Sequence, residues 1–308
     1  AIETFNLEKS YSVGFWRKRQ IPALKPLTLA VQTGEIFGYL GPNGAGKTTT
    51  LKLLMGLIFP TAGSARILGM DVADPQVKAA IGFLPEQPYF YDYLTASELL
   101  DYYAQLSGVP ARDRKRRAQE MLERVGLPDS ARTQLRKLSK GMLQRVGIAQ
   151  AIIHNPKVVF LDEPMSGLDP IGRREIRELI QGLKDDGKTV FFSTHILADA
   201  EELCDRVAIL YKGELRGVGA VEELTARAVG RVEILVQGAA ATAALSALGA
   251  ECRTTGEMVR AIISEAQQEA ALEALRRAHA RLISLTPVRA TLEDYFVEQL
   301  SEKVEVAR

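Results

Sequence analysis

The sequence has few of the residues that hold small proteins together through covalent bonds or metals. Its 308 residues include only two cysteines and three histidines. The two cysteines are far apart in the chain, which gives no disulfide framework, and the histidines show no metal-ligand spacing. The chain is therefore expected to fold around a hydrophobic core.

Long apolar runs and an excess of one charge are also missing. No stretch approaches the ~18 consecutive apolar residues that a membrane-spanning helix needs, so a role at a membrane requires a partner. Lysine and arginine total 39 against 38 acidic residues, which gives a net charge of +1. This balance lacks the basic excess of a dedicated nucleic-acid-binding protein, and no nucleic-acid partner is expected. The opening residues AIETFNLEKS do not resemble a signal peptide, so we expect a cytosolic location.

What the chain does contain is the composition of a globular protein, with 46% hydrophobic and 25% charged residues. Short strand patterns in residues 1–33 predict a small antiparallel sheet. From residue 35 onward strands alternate with helices, which indicates an α/β fold with a largely parallel sheet covered on both faces. The mostly helical segment 95–154 interrupts this alternation. We therefore expect a core with an antiparallel β subdomain and a helical subdomain over about 88–154.

The composition becomes alanine-rich after about residue 228. From there the predicted order is strand, helix, strand, strand, helix, strand, which is the order of a small α+β ferredoxin-like domain. A closing helix is predicted to begin at Thr291, with two acidic residues in its first turn. The sequence thus predicts two domains, at residues 1–222 and 228–308.

A glycine-rich loop lies between a predicted buried strand and a predicted helix. Residues 41–48, GPNGAGKT, match the pattern G-x-x-x-x-G-K-[ST] of a phosphate-binding loop. Its glycines let backbone amides converge on phosphates, Lys47 adds a positive charge, and the Thr48 hydroxyl can bind magnesium. A glycine turn before an ordinary helix is the alternative. The expected phosphate contacts are the consecutive residues Gly41, Pro42, Asn43, Gly44, Ala45, Gly46, Lys47, Thr48 and Thr49.

Two carboxylates follow the apolar strand VVFL. Asp162 and Glu163 stand where the carboxyl end of a parallel strand opens onto the ligand crevice of the sheet. There Asp162 can serve the metal, directly or through a second shell, and Glu163 can take a proton from water. A helix-capping pair before Pro164 is the alternative. A further carboxylate, Asp169, lies in the same short loop.

The order of these motifs resembles that of ATP-binding subunits of ABC transporters, from Tyr11 to about residue 220. The similarity covers the Walker A loop at 41–49, a Q-loop glutamine at Gln87, and a signature segment LSKGM at 138–142. It continues with the Walker B residues at 162 and 163, the D-loop over 166–169, and a switch histidine at His195. The signature departs from the usual LSGGQ at Lys140 and Met142.

This resemblance implies a P-loop NTPase core of RecA-like type that binds ATP and Mg²⁺ and hydrolyses ATP. It implies that Tyr11 stacks on adenine, that Gln87 contacts magnesium and the attacking water, and that His195 holds the γ-phosphate. A half-buried strand residue is the alternative for Tyr11. It also implies that Ser139, Lys140, Gly141 and Asp169 contact a nucleotide bound mainly by the opposite subunit.

The expected partners are a second ATPase subunit in a head-to-tail dimer and a separate transmembrane permease subunit at the cytoplasmic face of the membrane. The aromatic cluster Tyr89–Tyr93 could anchor that permease or fill a core between subdomains. The aromatic and basic stretch 13–20 could touch lipid headgroups or form a solvated hairpin tip. The TLEDYF ending resembles export-type subunits, which favours export over import.

Two other classes compete with this interpretation. A soluble ABC-type ATPase acting on ribosomes or DNA would be expected to carry paired ATPase cassettes or a long coiled-coil insertion, and the sequence has neither. A P-loop kinase or GTPase would not need LSKGM, SGLD and a following histidine together.

Overall fold

The structure is a computed structural model that describes residues 1–14, 19–225, 228–238, 240–289 and 291–297. The chain separates into two compact units, Ala1–Ala220 and Val221–Arg308. Residues 15–18 of the aromatic and basic stretch 13–20 lie outside the described residues.

The first unit contains two sheets. Its strands are β1 (Ile2–Val13), β2 (Arg19–Val31), β3 (Ile36–Leu40), β4 (Ala62–Ile67), β5 (Met70–Asp71), β6 (Ile81–Leu84), β7 (Val158–Asp162), β8 (Thr189–Thr194), β9 (Arg206–Tyr211) and β10 (Glu214–Ala220). Its helices are α1 (Lys47–Leu54), α2 (Ala96–Leu106), α3 (Ala111–Arg124), α4 (Lys140–Ile152), α5 (Pro170–Asp185) and α6 (Leu197–Leu203).

The larger sheet has the strand order β10-β9-β3-β8-β7-β6. Strands β9, β3, β8, β7 and β6 are parallel to their neighbours, and β10 adds to the edge as the second arm of an antiparallel hairpin. Every residue of β3, β7 and β8 is buried, as expected for a parallel sheet covered on both faces. The predicted alternation of strands and helices is therefore confirmed, and the loops after the strands gather at one edge of the sheet.

The smaller sheet of this unit is antiparallel and has the order β2-β1-β4-β5. It joins the main sheet through one hydrophobic core that includes Leu7, Leu27, Phe37 and Phe160. The antiparallel sheet predicted from residues 1–33 is thus present, and β4 and β5 extend it beyond that segment.

The helices between β6 and β7 begin and end where the sequence provides signals. Thr95 and Glu98 form a capping box at the start of α2. Gly108 and Gly126 adopt positive φ values just after α2 and α3, as C-terminal glycines do. Ser139 caps α4 through a bond from the Met142 amide.

The second unit contains one antiparallel sheet with helices. Its elements are α7 (Val221–Thr225), β11 (Ala228–Gln237), α8 (Ala240–Ser246), β12 (Glu251–Thr255), β13 (Met258–Ser264), α9 (Gln268–Arg277) and β14 (Arg281–Arg289). The strand order is β12-β13-β11-β14. Alternate residues of β11 and β13 pack on α8 and α9, for example Ile234 on the sheet side and Leu245 and Leu275 on the helix side.

A last helical turn begins after Thr291, whose hydroxyl accepts a hydrogen bond from the Asp294 amide at 3.1 Å. This is the predicted start of the closing helix. Across the described residues of both units, no helix is long and apolar enough to cross a bilayer.

Candidate functional site

The glycine-rich loop joins β3 to α1 at the edge where the parallel strands end. At Gly41 and Gly46 a larger residue would not fit, because a Cβ would collide with the Leu210 carbonyl oxygen at the first and the Ala23 carbonyl oxygen at the second. Gly46 also has a φ of 107°, which side-chain-bearing residues rarely adopt. The first amides of a helix have no partner within it, so the start of α1 can receive an anion.

Lys47 is the first residue of α1, and its side chain turns back over the loop. Nζ donates to the Gly41 carbonyl at 2.6 Å and the Pro42 carbonyl at 3.4 Å. The same ammonium group lies 3.2 Å from Glu163 Oε1. Only 6% of the Lys47 surface is exposed, so these contacts offset the cost of burying its charge.

Asp162 ends β7 and is buried. Its Oδ1 accepts a 2.5 Å hydrogen bond from Ser193 Oγ on β8, and its Oδ2 accepts a 3.0 Å bond from Thr48 Oγ1. Burial raises the pKa of the Asp162 carboxyl above its ordinary value, while the two hydrogen bonds oppose the rise. A carboxylate and a hydroxyl oxygen, both ligand types that suit magnesium, therefore stand side by side.

Glu163 lies next to Asp162, and its backbone adopts an unusual conformation. Its φ is 50°, a left-handed conformation that is costly for a residue other than glycine and that clusters at functional sites. The Glu163 amide donates to the Ser193 carbonyl at 3.1 Å, which holds this turn. Glu163 Oε2 lies 2.8 Å from His195 Nδ1, so the carboxylate sits between the Lys47 ammonium group and an imidazole.

Lys47, Thr48 and Glu163 line a cavity of about 370 Å³, which we call the phosphate cavity. Asp162 and His195 do not line it, but they contact Thr48 and Glu163, which do. Its volume falls within the roughly 300–1,000 Å³ typical of small-molecule sites. The residues that line it are Ala23, Pro42, Asn43, Gly44, Ala45, Gly46, Lys47, Thr48, Thr49, Glu86 and Glu163. The loop and the carboxylate that the sequence predicts as one site are thus brought together.

The predicted residues Gln87 and Tyr11 are among those that do not line this cavity. Gln87 is exposed, and its side chain accepts a 3.3 Å hydrogen bond from the Tyr89 hydroxyl. Tyr11 lies on β1, 39% exposed, with Lys9 Nζ 5.3 Å from its ring centre. Neither residue lines the phosphate cavity.

Glu86 lines the cavity instead of Gln87, and the sequence reasoning missed it. A signal was available, because Glu86 comes two residues after β6 at the same edge of the sheet. Residues that follow the carboxyl ends of parallel strands face the ligand crevice. The rule that selected Asp162 and Glu163 therefore also applied to Glu86.

A second cavity, of about 330 Å³, lies on the signature segment, and we call it the signature cavity. It is lined by Ser139, Lys140, Gly141, Met142, Arg145, Gly167, Leu168, Asp169, Ile171, Gly172 and Glu175. Ser139 caps α4, and Asp169 caps α5 by accepting a 2.7 Å bond from the Gly172 amide. The Lys140 ammonium group packs over Gly167. The predicted signature and D-loop residues therefore form one surface that is separate from the phosphate cavity.

A third cavity, of about 660 Å³, is lined mainly by apolar and aromatic side chains. They include Met55, Leu57, Phe83 and Phe90, and Tyr89 at the rim is 90% exposed. His154, which the sequence analysis leaves as structural, also lines it, and its Nε2 lies 3.0 Å from the Ile81 carbonyl. Part of the aromatic cluster is thus exposed next to an apolar groove.

Comparisons with known proteins agree with these motifs. The sequence model of the family described as ABC transporter matches residues 24–166. An uncharacterized ABC transporter ATP-binding protein of Synechocystis is 48% identical over 306 residues, which is 98% of this chain and 85% of that protein. A fluoroquinolones export ATP-binding protein of Mycobacterium tuberculosis is 41% identical over 220 residues, which is 70% of this chain and 72% of that protein.

A solved structure gives the same result for the fold. A dimeric ATP-binding cassette in a post-hydrolysis state, bound to ADP and Pi, is 30% identical with a TM-score of 0.66. The likeness covers 72% of this chain and 99% of that cassette.

Proposed function

The chain belongs to the ABC transporter family as an ATP-binding subunit that hydrolyses ATP, and from this premise we propose that two copies work head to tail. Each ATP would lie between the 41–49 loop of one copy and the 138–142 segment of the other. The observation that carries this proposal is that the phosphate cavity and the signature cavity are separate on one chain. A site assembled from both therefore needs a second chain.

In the phosphate cavity, the proposed roles follow from the contacts. Lys47 neutralises charge on the β and γ phosphates, since its ammonium group is already fixed over the loop. Glu163 polarises the attacking water and accepts its proton. His195, 2.8 Å from Glu163, holds the γ-phosphate and orients that carboxylate. Together these groups stabilise charge on the transferring phosphoryl group.

The residues present also fit a magnesium ion. Magnesium keeps several waters and phosphate oxygens in its shell, so it needs only one or two protein oxygens. Thr48 Oγ1 and Asp162 Oδ2, which lie 3.0 Å apart, would hold it. Gln87 is the further contact that the family resemblance implies, and its neighbour Glu86 lines the cavity. When bound, the ion would neutralise phosphate charge. No group of three or more His, Cys, Asp or Glu in the described ranges offers an alternative metal site.

In the signature cavity, Ser139 and Gly141 would cap the γ-phosphate of the opposite ATP through a hydroxyl and backbone amides. Lys140 would add a positive charge to this face, and Asp169 would shape it by capping α5. Tyr11 remains the proposed adenine contact, because it is an exposed aromatic residue on a strand of the antiparallel sheet.

A separate transmembrane subunit is the proposed partner, which would hold this chain at the cytoplasmic face of the membrane. The groove beside Tyr89 supports this, because an apolar cavity rimmed by exposed aromatic side chains suits an interface anchor. The relative named for fluoroquinolone export favours export as the direction of transport.

We further propose residues 1–222 as the ATPase domain, with a helical subdomain over about 88–154, and 228–308 as an accessory domain. The order strand, helix, strand, strand, helix, strand around one antiparallel sheet supports a ferredoxin-like domain. Dimer stabilisation and regulation are its proposed roles.

Glu163→Gln tests the head-to-tail arrangement, because slowing hydrolysis should trap ATP between two chains. We expect this variant to be a monomer without nucleotide and a dimer with ATP and magnesium, as measured by light scattering after size-exclusion chromatography. Adding Ser139→Arg to the same variant is the matched control. It places a bulky group on the signature face, so ATP should still bind and the dimer should not form. A Glu163→Gln chain that binds ATP and stays monomeric would contradict the arrangement.

A further inference from the structure

Asp199 is a buried carboxylate that lines neither the phosphate cavity nor the signature cavity. It lies in α6 and is 3% exposed. Helix α6 begins at Leu197, two residues after His195. Burying a carboxylate costs free energy unless the carboxylate is paired. The partners of Asp199 therefore show which elements its burial holds together.

The partners of Asp199 are two arginines one turn apart on α5. Arg177 Nη1 donates to Asp199 Oδ1 at 3.3 Å, and Arg173 Nη1 lies 3.7 Å from Asp199 Oδ2. Burial raises the pKa of the Asp199 carboxyl, and the two arginines oppose that rise. One carboxylate therefore docks α6 against the first two turns of α5.

Arg173 also reaches the loop that precedes α5. Its Nε donates to the Leu168 carbonyl at 3.3 Å, and Leu168 lines the signature cavity. A continuous path of polar contacts thus runs from Leu168 through Arg173 to Asp199. From Asp199 the short helix α6 leads back to His195 and its 2.8 Å contact with Glu163.

We propose that Asp199 is a positioning residue that sets His195 against Glu163 and links this contact to the loop at 166–169. The inference rests on the proposed function, in which that loop faces the ATP of the opposite copy while His195 faces the chain's own ATP. When the two copies close around one nucleotide, a shift of the 166–169 loop at that nucleotide would then change the position of His195 at the other nucleotide. Asp199 lines neither the phosphate cavity nor the signature cavity, so its effect on the reaction passes through α6.

The test is the steady-state ATP turnover of Asp199→Asn beside the wild-type chain and Glu202→Gln. Glu202 is the matched control, since it also lies on α6 and Glu202 Oε2 lies 3.0 Å from Arg177 Nε, but its side chain is 60% exposed. We expect Asp199→Asn to lower kcat by about tenfold, because small misplacements of a catalytic group cost that much or more. KM should stay within about twofold, since the 41–49 loop is untouched, and Glu202→Gln should match the wild type.

A second measurement separates positioning from stability. Asp199→Asn is added to His195→Ala, and single-turnover phosphate release is measured with enzyme in excess. If Asp199 acts through His195, the added change lowers the rate by less than about twofold, because the two effects are not additive. The same tenfold loss in both backgrounds would overturn the proposal, as would a lower Tm with an unchanged kcat. Asp199→Glu keeps the charge and should recover most of the turnover.

Different results would contradict the proposed function and the role of Asp199. A Glu163→Gln chain that binds ATP and stays monomeric would contradict the proposed head-to-tail function. A wild-type chain that does hydrolyse ATP, with Asp199→Asn indistinguishable from Glu202→Gln, would contradict the role of Asp199 alone.

Discussion

The phosphate cavity and the signature cavity differ in how their charged and polar groups are held. In the phosphate cavity the charged pair Lys47 and Glu163 is buried, each residue 6% exposed, and its two charged groups contact each other. In the signature cavity Ser139 and Lys140 are exposed, and the Ser139 hydroxyl caps its own helix. The first cavity holds its charges in place within one chain, because buried charges need partners. The second leaves its polar groups at the surface, where another chain can meet them.

The contrast predicts that changes in the phosphate cavity abolish the reaction. Glu163→Gln should keep ATP binding and lower turnover by ~10²–10³, since one preorganised catalytic group is lost. Phosphate release at saturating ATP measures the turnover, and a fluorescent-nucleotide titration checks that binding is kept. Near-normal phosphate release would show that another group accepts the proton.

A change at Lys47 in the same cavity should act on binding. Lys47→Ala removes the ammonium group from beside two carbonyls and leaves Glu163 as a buried carboxylate without this cation. In the proposed site the same ammonium group pairs with the β and γ phosphates. Losing one member of such a charge pair costs a few kcal/mol, so ATP affinity should fall by about 10²-fold. Equilibrium titration with a fluorescent ATP analogue gives the affinity. Lys47→Arg, which keeps the charge with a larger head group, is the control. An unchanged ATP affinity in Lys47→Ala would contradict the proposed difference between the two cavities.

A change in the signature cavity should be milder and should appear only when two chains meet. Ser139→Ala removes one hydrogen-bonding hydroxyl, worth about 1 kcal/mol, so turnover should fall by about tenfold or less. Binding of ATP to the isolated chain should not change, because Ser139 does not line the phosphate cavity. Turnover measured across a range of protein concentrations separates the two effects. Ser139→Thr retains a hydroxyl and is the matched control; a loss of ATP affinity in dilute Ser139→Ala chains would contradict the separation of the cavities.

The elements around these cavities were predictable because their signals are local. Helix α5 and strand β8 both belong to the predicted alternation of strands and helices, and both follow from local signals. Asp169 supplies a cap and Pro170 a favoured first residue for the helix, while TVFFST is a run of β-branched and aromatic residues. The glycine loop was predictable for the same reason, since eight consecutive residues carry its pattern.

Other features of the site depend on residues far apart in the sequence. Both Glu86 and Gln87 follow the end of β6, and the path of the chain after that strand decides that only Glu86 lines the cavity. The positive φ of Glu163 is held by Ser193, thirty residues further along the chain. The link between Asp199 and Arg173 needs α5 and α6 to pack together, and an aspartate within a short helix gives no sign of that in the sequence.

One backbone contact of the phosphate loop offers a way to follow nucleotide binding without attaching a probe to the protein. The Gly213 amide donates to the Ala45 carbonyl at 2.8 Å, and the Lys25 amide donates to the Gly213 carbonyl at 2.7 Å. Amide hydrogen exchange follows the local opening of such bonds. Exchange at Gly213, in the turn between β9 and β10, should therefore slow when a ligand stiffens the loop, and deuterium uptake in that short segment would record when the site is filled.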